Sequence, residues 1–134
     1  MPSTTNIEPI PKSTERVATQ VVDAAYNVHS ALGPGLLENV YEVCLIHELA
    51  KHGLSVKRQV ELPVIYDTLK IDAGLRIDLL VNDCLIIELK AVEAILPIHK
   101  AQLLTYLKLA KCRLGLLINF NVPIIKVGIR RIAL

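Results

Sequence analysis

Three side chains in this sequence have the types and the spacing to do chemistry together: Asp78, Glu88 and Lys90. Glu88 and Lys90 flank Leu89 in the run Ile86-Ile87-Glu88-Leu89-Lys90. In a strand, residues two apart project from one face, so a carboxylate and an ammonium stand side by side in an apolar element. Burying them without partners is unfavourable. An isolated Glu-x-Lys is ordinarily a solvated ion pair at a strand end. Asp78 changes that reading, because it falls on the preceding strand of the same hairpin. With Asn82-Asp83-Cys84 as the loop, Val81 pairs with Leu85 and Asp78 lies opposite Glu88. Carboxylates so placed repel unless a divalent cation bridges them. Mg²⁺, or Mn²⁺ in its place, suits such a site, since it takes a few carboxylates and keeps several waters. Lys90 then stands beside the ion, where it can orient or deprotonate a water or steady charge on a phosphate. A two-residue Asn82-Asp83 turn predicts the reverse. It sets Asp78 opposite Ile87 and throws the carboxylates to opposite faces. The metal reading requires an odd-length loop or a bulge.

The elements that must position these groups can be read from periodicity. Pro2, Pro9 and Pro11 make residues 1–12 an extended arm. Val17, Val21, Ala25, Val28 and Leu32 recur at helical spacing from Ser13 onward, and Gly33-Pro34-Gly35 ends that helix. A second helix is predicted from about Leu36 to Lys51, with Gly53 as its stop. Val60, Leu62, Val64 and Tyr66 then alternate with polar residues and Pro63, which marks an edge strand. After a turn at Asp67 to Lys70, Ile71, Ala73, Leu75, Ile77, Leu79 and Val81 are expected on one face, with Asp72, Gly74, Arg76 and Asp78 on the other. Leu85 to Ala91 forms the third strand. Pro97 opens a helix that runs to about Lys111. Gly115 to Asn119 reads as a strand buried on both faces, and a last strand spans about Ile124 to Ile132. The order is α-α-β-β-β-α-β-β.

The bulk composition sets bounds. The 134 residues fit one domain, here 13–134, and 52% hydrophobic content excludes disorder. With one Phe and no Trp, the core must come from Leu, Ile and Val. A net charge of +2 names no partner by itself. Cys44, Cys84 and Cys112 are widely spaced and form no CxxC pair, which indicates reduced thiols and a cytoplasmic protein. The N-terminus has no apolar signal region and no run approaches a membrane span, so no membrane partner is expected. A small domain this apolar is expected to self-associate as a homo-oligomer.

These residues also carry a resemblance. Asp78, Glu88 and Lys90 match the D…(D/E)xK signature of the PD-(D/E)XK nuclease superfamily. Gly35-Leu36-Leu37-Glu38-Asn39-Val40-Tyr41 reads GxxExxY, the pattern that names a family of small bacterial proteins placed in that superfamily. The runs from Leu96 to Tyr106 and from Gly115 to Phe120 are similar to that family too, so the likeness extends from Val17 to the C-terminus. It implies an α/β fold with a central mixed sheet flanked by helices and an α-β-β-β-α-β core. It implies metal-binding carboxylates at Asp78 and Glu88, a catalytic Lys90, and an extra acidic residue at Glu38. Gln102 and Tyr106 look like the QxxxY motif of RecB-type exonucleases. Ile77 stands where the signature often has proline.

The same positions have ordinary readings. Tyr41 reads as a core-edge aromatic with a wet hydroxyl. His99 reads as a helix-start residue, since no second His or Cys pairs with it at a metal spacing. Lys100, Lys108 and Lys111 form either a phosphate-facing stripe or a solvated face. The function expected is metal-dependent hydrolysis of phosphodiester bonds in nucleic acid, with DNA favoured over RNA. Its rival is a non-catalytic binding or self-assembling module that keeps the fold.

Overall fold

The computed structural model describes residues 8–134. The chain runs α1 (Lys12–Leu32), α2 (Glu38–Lys51), β1 (Val56–Tyr66), β2 (Leu69–Val81), β3 (Leu85–Lys90), α3 (Pro97–Ala110), β4 (Leu114–Asn119), a 3-10 turn (Ile125–Gly128) and β5 (Ile129–Ala133). The five strands form one mixed sheet in the order β1-β2-β3-β4-β5. Only β3 and β4 pair in parallel, joined by the crossover through α3. The arm expected over residues 1–12 falls largely outside the described residues, and α1 already begins at Lys12. No helix among the described residues is long and apolar enough to cross a membrane.

Two apolar layers sandwich the sheet. Val17, Val21, Ala25 and Val28 of α1 and Leu45 and Leu49 of α2 pack against Leu85, Ile87 and Leu89 on one side. Leu103, Tyr106 and Leu107 of α3 pack against Ile86 and Leu117 on the other. β3 and β4 are covered on both faces, which is why their sequences are nearly continuous apolar runs. Each fully buried Leu or Ile here contributes roughly 1.5–3 kcal/mol. Against this background Glu88, 6% exposed, and the half-buried Lys90 stand out as polar groups in an otherwise apolar, buried strand.

Two expectations are corrected. Ile71 to Val81 do not keep one alternation: Leu79 and Val81 face α1 and α2, whereas Ile77 belongs to the α3 side. β1 makes the same switch, with Val56 on the first side and Val60 on the second. The switch sits where Gln59 adopts φ +50° across from Asp78, between the pairs Arg58↔Leu79 and Val60↔Ile77. The last strand is also shorter than expected. Gly128 packs so tightly on the Asn119 carbonyl that a Cβ would not fit, and residues 125–128 turn as a 3-10 segment instead. Pro63 does lie on an edge strand, where the β1–β2 register shifts between Leu62 and Val64.

Candidate active site

The β2–β3 connection is a three-residue loop. Val81 pairs with Leu85, Asn82 and Asp83 take positive φ, and the Cys84 N–H donates to the Val81 carbonyl at 3.1 Å. Continuing that register places Asp78 opposite Glu88, but the ladder ends one pair earlier, at Leu79↔Ile87. Beyond it the carboxylates take the place of backbone carbonyls. The Asp78 N–H donates to Glu88 Oε2 at 2.8 Å, and the Leu89 N–H donates to Asp78 Oδ2 at 2.8 Å. The strands part here, and both acids turn into the gap. One oxygen of each is held by the main chain; the other is not committed to the ladder.

A third acid arrives from α2. A cleft of about 190 Å³ is lined by Glu38, Asn39, Glu42, Gln59, Asp78 and Leu89. Burial pushes the Glu88 carboxyl up to about 8, and the Asp78 charge adds to the shift. Asp78 is raised by burial, opposed by the Leu89 N–H and reinforced by Glu42. Glu38, more exposed, is pushed the same way by desolvation on its cleft side and by Asp78. The three acids therefore resist ionising together. The Lys90 ammonium opposes the shift at all three, yet among the described residues no carboxylate lies within 4.0 Å of it. The ordinary reading of Glu88 and Lys90 as a tight ion pair is thus not what the structure contains. Lys90 ends β3 beside Asn119, with its carbonyl accepting the Phe120 N–H at 3.0 Å.

On the other side, Tyr106 of α3 is buried and its hydroxyl pKa is raised by desolvation and by the Glu88 and Asp78 charges. Gln102, exposed one turn earlier, donates to the Tyr106 hydroxyl at 3.0 Å. Tyr106 is therefore within electrostatic reach of the carboxylates, whereas Gln102 lines with it a separate hollow that also takes in Leu75, Ile98 and Thr105 and none of the three acids. Leu103 and Leu107 point into the core beneath them. His99 serves the helix start: its Nδ1 accepts the Leu96 N–H at 3.0 Å, and its own N–H donates to the Leu96 carbonyl.

Tyr41 is not wet. It is fully buried, stacks on Phe120 with centroids 4.5 Å apart, donates to the Gly33 carbonyl at 2.6 Å and accepts the Leu36 N–H at 3.1 Å. It pins the loop that delivers Glu38.

Three polar residues escaped sequence reading. Glu42, 5% exposed, takes Arg58 Nη2 on one oxygen and Gln59 Nε2 on the other, both at 3.0 Å. It stands four residues after Glu38, a spacing that puts both on one helix face, and that signal was available. Gln59 has no comparable signal, because its position depends on the face switch. Asn119, 2% exposed, grips the main chain just past Lys90, bonding both the N–H and the carbonyl of Val92. A buried Asn closing an apolar strand is its signature.

Among the described residues no group of three His, Cys, Asp or Glu is already arranged to hold a metal ion. The donor set nevertheless fits a hard divalent cation: oxygen ligands only, crowded enough to repel. A roomier cavity, about 520 Å³ between α1 and α2, shares no residue with this cleft and gathers no comparable set of acids. No curated protein matches the chain, and no solved structure does. The sequence model of the PD-(D/E)XK nuclease superfamily matches residues 15–132, which takes in every element of this site, and the chain belongs to that superfamily.

Proposed function

We propose that this chain is a divalent-metal-dependent nuclease that hydrolyses phosphodiester bonds, with DNA as its substrate. The observation that carries the reading is the parting of β2 and β3 at Asp78 and Glu88, whose carboxylates replace the ladder and share their charge with Glu38. A buried Glu88 beside a half-buried Asp78 and a cleft-facing Glu38 is costly unless something balances the charge. In this reading Asp78 and Glu88 hold Mg²⁺ or Mn²⁺, and Glu38 holds it directly or through a water. The bound ion supplies Lewis-acid stabilisation of the phosphate and a water of lowered pKa. Lys90, free of a tight ion pair, orients that water or accepts its proton. Gln102 and Tyr106 act as a unit: Gln102 fixes the phenol, and the phenol positions the nucleic-acid strand beside Glu88. Within the superfamily, the Gly35–Tyr41 motif supports placing the chain with the GxxExxY proteins. A cytoplasmic location, from the three free thiols, belongs to the same reading.

Cleavage of single- and double-stranded DNA and RNA, with and without Mg²⁺ or Mn²⁺, tests it. Metal-dependent cleavage that disappears in Asp78→Asn supports the reading. Inactivity on all four substrates, with no metal binding, hands the chain to the rival, a non-catalytic module. That rival draws on the shortness of the chain and on its nearly balanced charge. Self-association has its own support, since Leu37, just before α2, is 74% exposed and Val43, on α2, is 56% exposed. Sedimentation velocity on the wild type and on Val43→Lys checks it.

A further inference from the structure

Glu42 is a buried acid with both oxygens engaged by neighbours in sequence, Arg58 and Gln59. Adjacent residues of a regular strand point to opposite faces. They reach one carboxylate here because Gln59 takes φ +50° and turns β1 at that point. Compensating a buried charge needs only one contact, and Arg58 gives it only that. Its side chain remains 57% exposed, and only one of its guanidinium nitrogens bonds Glu42. The rest of the planar donor fork faces solvent from a buried anchor.

The surroundings say what such a fork is for. The cleft wall contains Glu38, Glu42 and Asp78 but no Lys or Arg. A polyanion entering there meets acids. An ion held at Asp78 and Glu88 offsets that repulsion only at the phosphate being attacked, and Lys90 lies at the end of β3, one strand further in. The neighbouring phosphates need a cation on the β1 side, and Arg58 is the one tied to the cleft wall. We propose that Arg58, held in place by Glu42, binds a backbone phosphate of the nucleic acid next to the one cleaved. The proposal rests on the nuclease reading for its substrate. Glu42 is then a positioning residue that fixes the fork, in the way outer groups fix the ligands of a metal.

The test is equilibrium binding of a fluorescently labelled oligonucleotide, single-stranded and duplex, without divalent ion and over a series of KCl concentrations. Arg58→Ala is expected to weaken binding about tenfold, as loss of a charge-assisted hydrogen bond does. It should also lower the slope of log K against log salt by about 0.7 for the single strand or about 0.9 for the duplex. A purely structural role would not move that slope. Because Arg58→Ala strands a buried carboxylate, the double variant Glu42→Gln/Arg58→Gln removes both charges and must show the same loss of slope. An unchanged slope in both variants overturns the proposal, and so does a wild type that binds neither form. Cleavage of the same oligonucleotides with Mg²⁺ is followed in parallel. Binding that depends on Arg58 without cleavage sinks the catalytic reading alone. Cleavage with an unchanged slope sinks Arg58 alone.

Discussion

Glu38 and Tyr41 lie three residues apart at the start of α2, in one heptapeptide, and the structure gives them opposite physics. Tyr41 is a closed account of interactions: ring stacked on Phe120, hydroxyl giving to Gly33 and taking from Leu36, nothing exposed. Glu38 opens onto a cleft that it shares with Asp78, whose charge, together with burial, pushes the neighbouring Glu88 to about 8. Each polar atom of Tyr41 has its partner in the fold, whereas Asp78 and Glu88 each have a main-chain partner but, among the described residues, no counter-charge within salt-bridge distance. Closed polar groups stabilise and clustered acids mark functional sites, even one helical turn apart. Substitutions on the two sides should therefore separate cleanly into losses of activity and losses of stability.

The largest effect is expected at Lys90. Replacing it with Ala should lower cleavage by roughly 10²–10⁴-fold, the range for a positioned proton-transfer group. The melting temperature with Mg²⁺ present should change little, because the ion still balances Asp78 and Glu88. Paired turnover and melting measurements check this, and a stable, fully active Lys90→Ala would break the comparison from the catalytic side. On the other side, Tyr41→Ala should cost about 3–5 kcal/mol in denaturant unfolding through its cavity. Tyr41→Phe should cost about 1–3 kcal/mol, by stranding the Gly33 carbonyl and the Leu36 N–H. Metal affinity in Tyr41→Phe should match the wild type. Weakened metal binding there would show that the two regions are one.

The pH dependence sharpens the contrast. Glu88 is raised from 4.5 to about 8 in the folded state. Between those values the native protein holds a proton that the unfolded chain has released. The stability this contributes is present in full below 4.5 and is lost as pH rises through about 8. In EDTA the protein should become less stable across that window, and Glu88→Gln should flatten the trend. Mg²⁺ should raise the melting temperature more at about pH 8 than at about pH 6, because carboxylate ligands must be ionised to bind. The smallest effect is expected at His99→Ala, about 0.5–1 kcal/mol of stability from the lost helix-start bond, with cleavage unchanged.

Much of this site was legible in the sequence. The element order followed from periodicity, but counting left both a three-residue loop and a two-residue turn open at Asn82-Asp83, and the pairing of Val81 with Leu85 decides for the three-residue loop. What stayed hidden was non-local. The face switch at Gln59 and Asp78 depends on a positive φ at a residue type that gives no hint of it. It splits Ile77 from Leu79, which simple alternation puts together. The burial of Glu42 depends on β1 bringing Arg58 and Gln59 to it. The 3-10 turn before β5 is imposed by the contact of Gly128 with Asn119, which no local pattern records. The stacking of the Tyr41 ring depends on Phe120, far along the chain.

The central claim is that the acids at Asp78, Glu88 and Glu38 form a divalent-cation site. Its most direct test is calorimetric titration of Mn²⁺ and Mg²⁺ into the wild type and Asp78→Asn at about pH 8, where Glu88 has begun to ionise. Saturable binding to the wild type, with release of protons and loss of that binding in Asp78→Asn, is the predicted result. A wild type that takes up neither ion, or an Asp78→Asn variant that binds as tightly as the wild type, would contradict it.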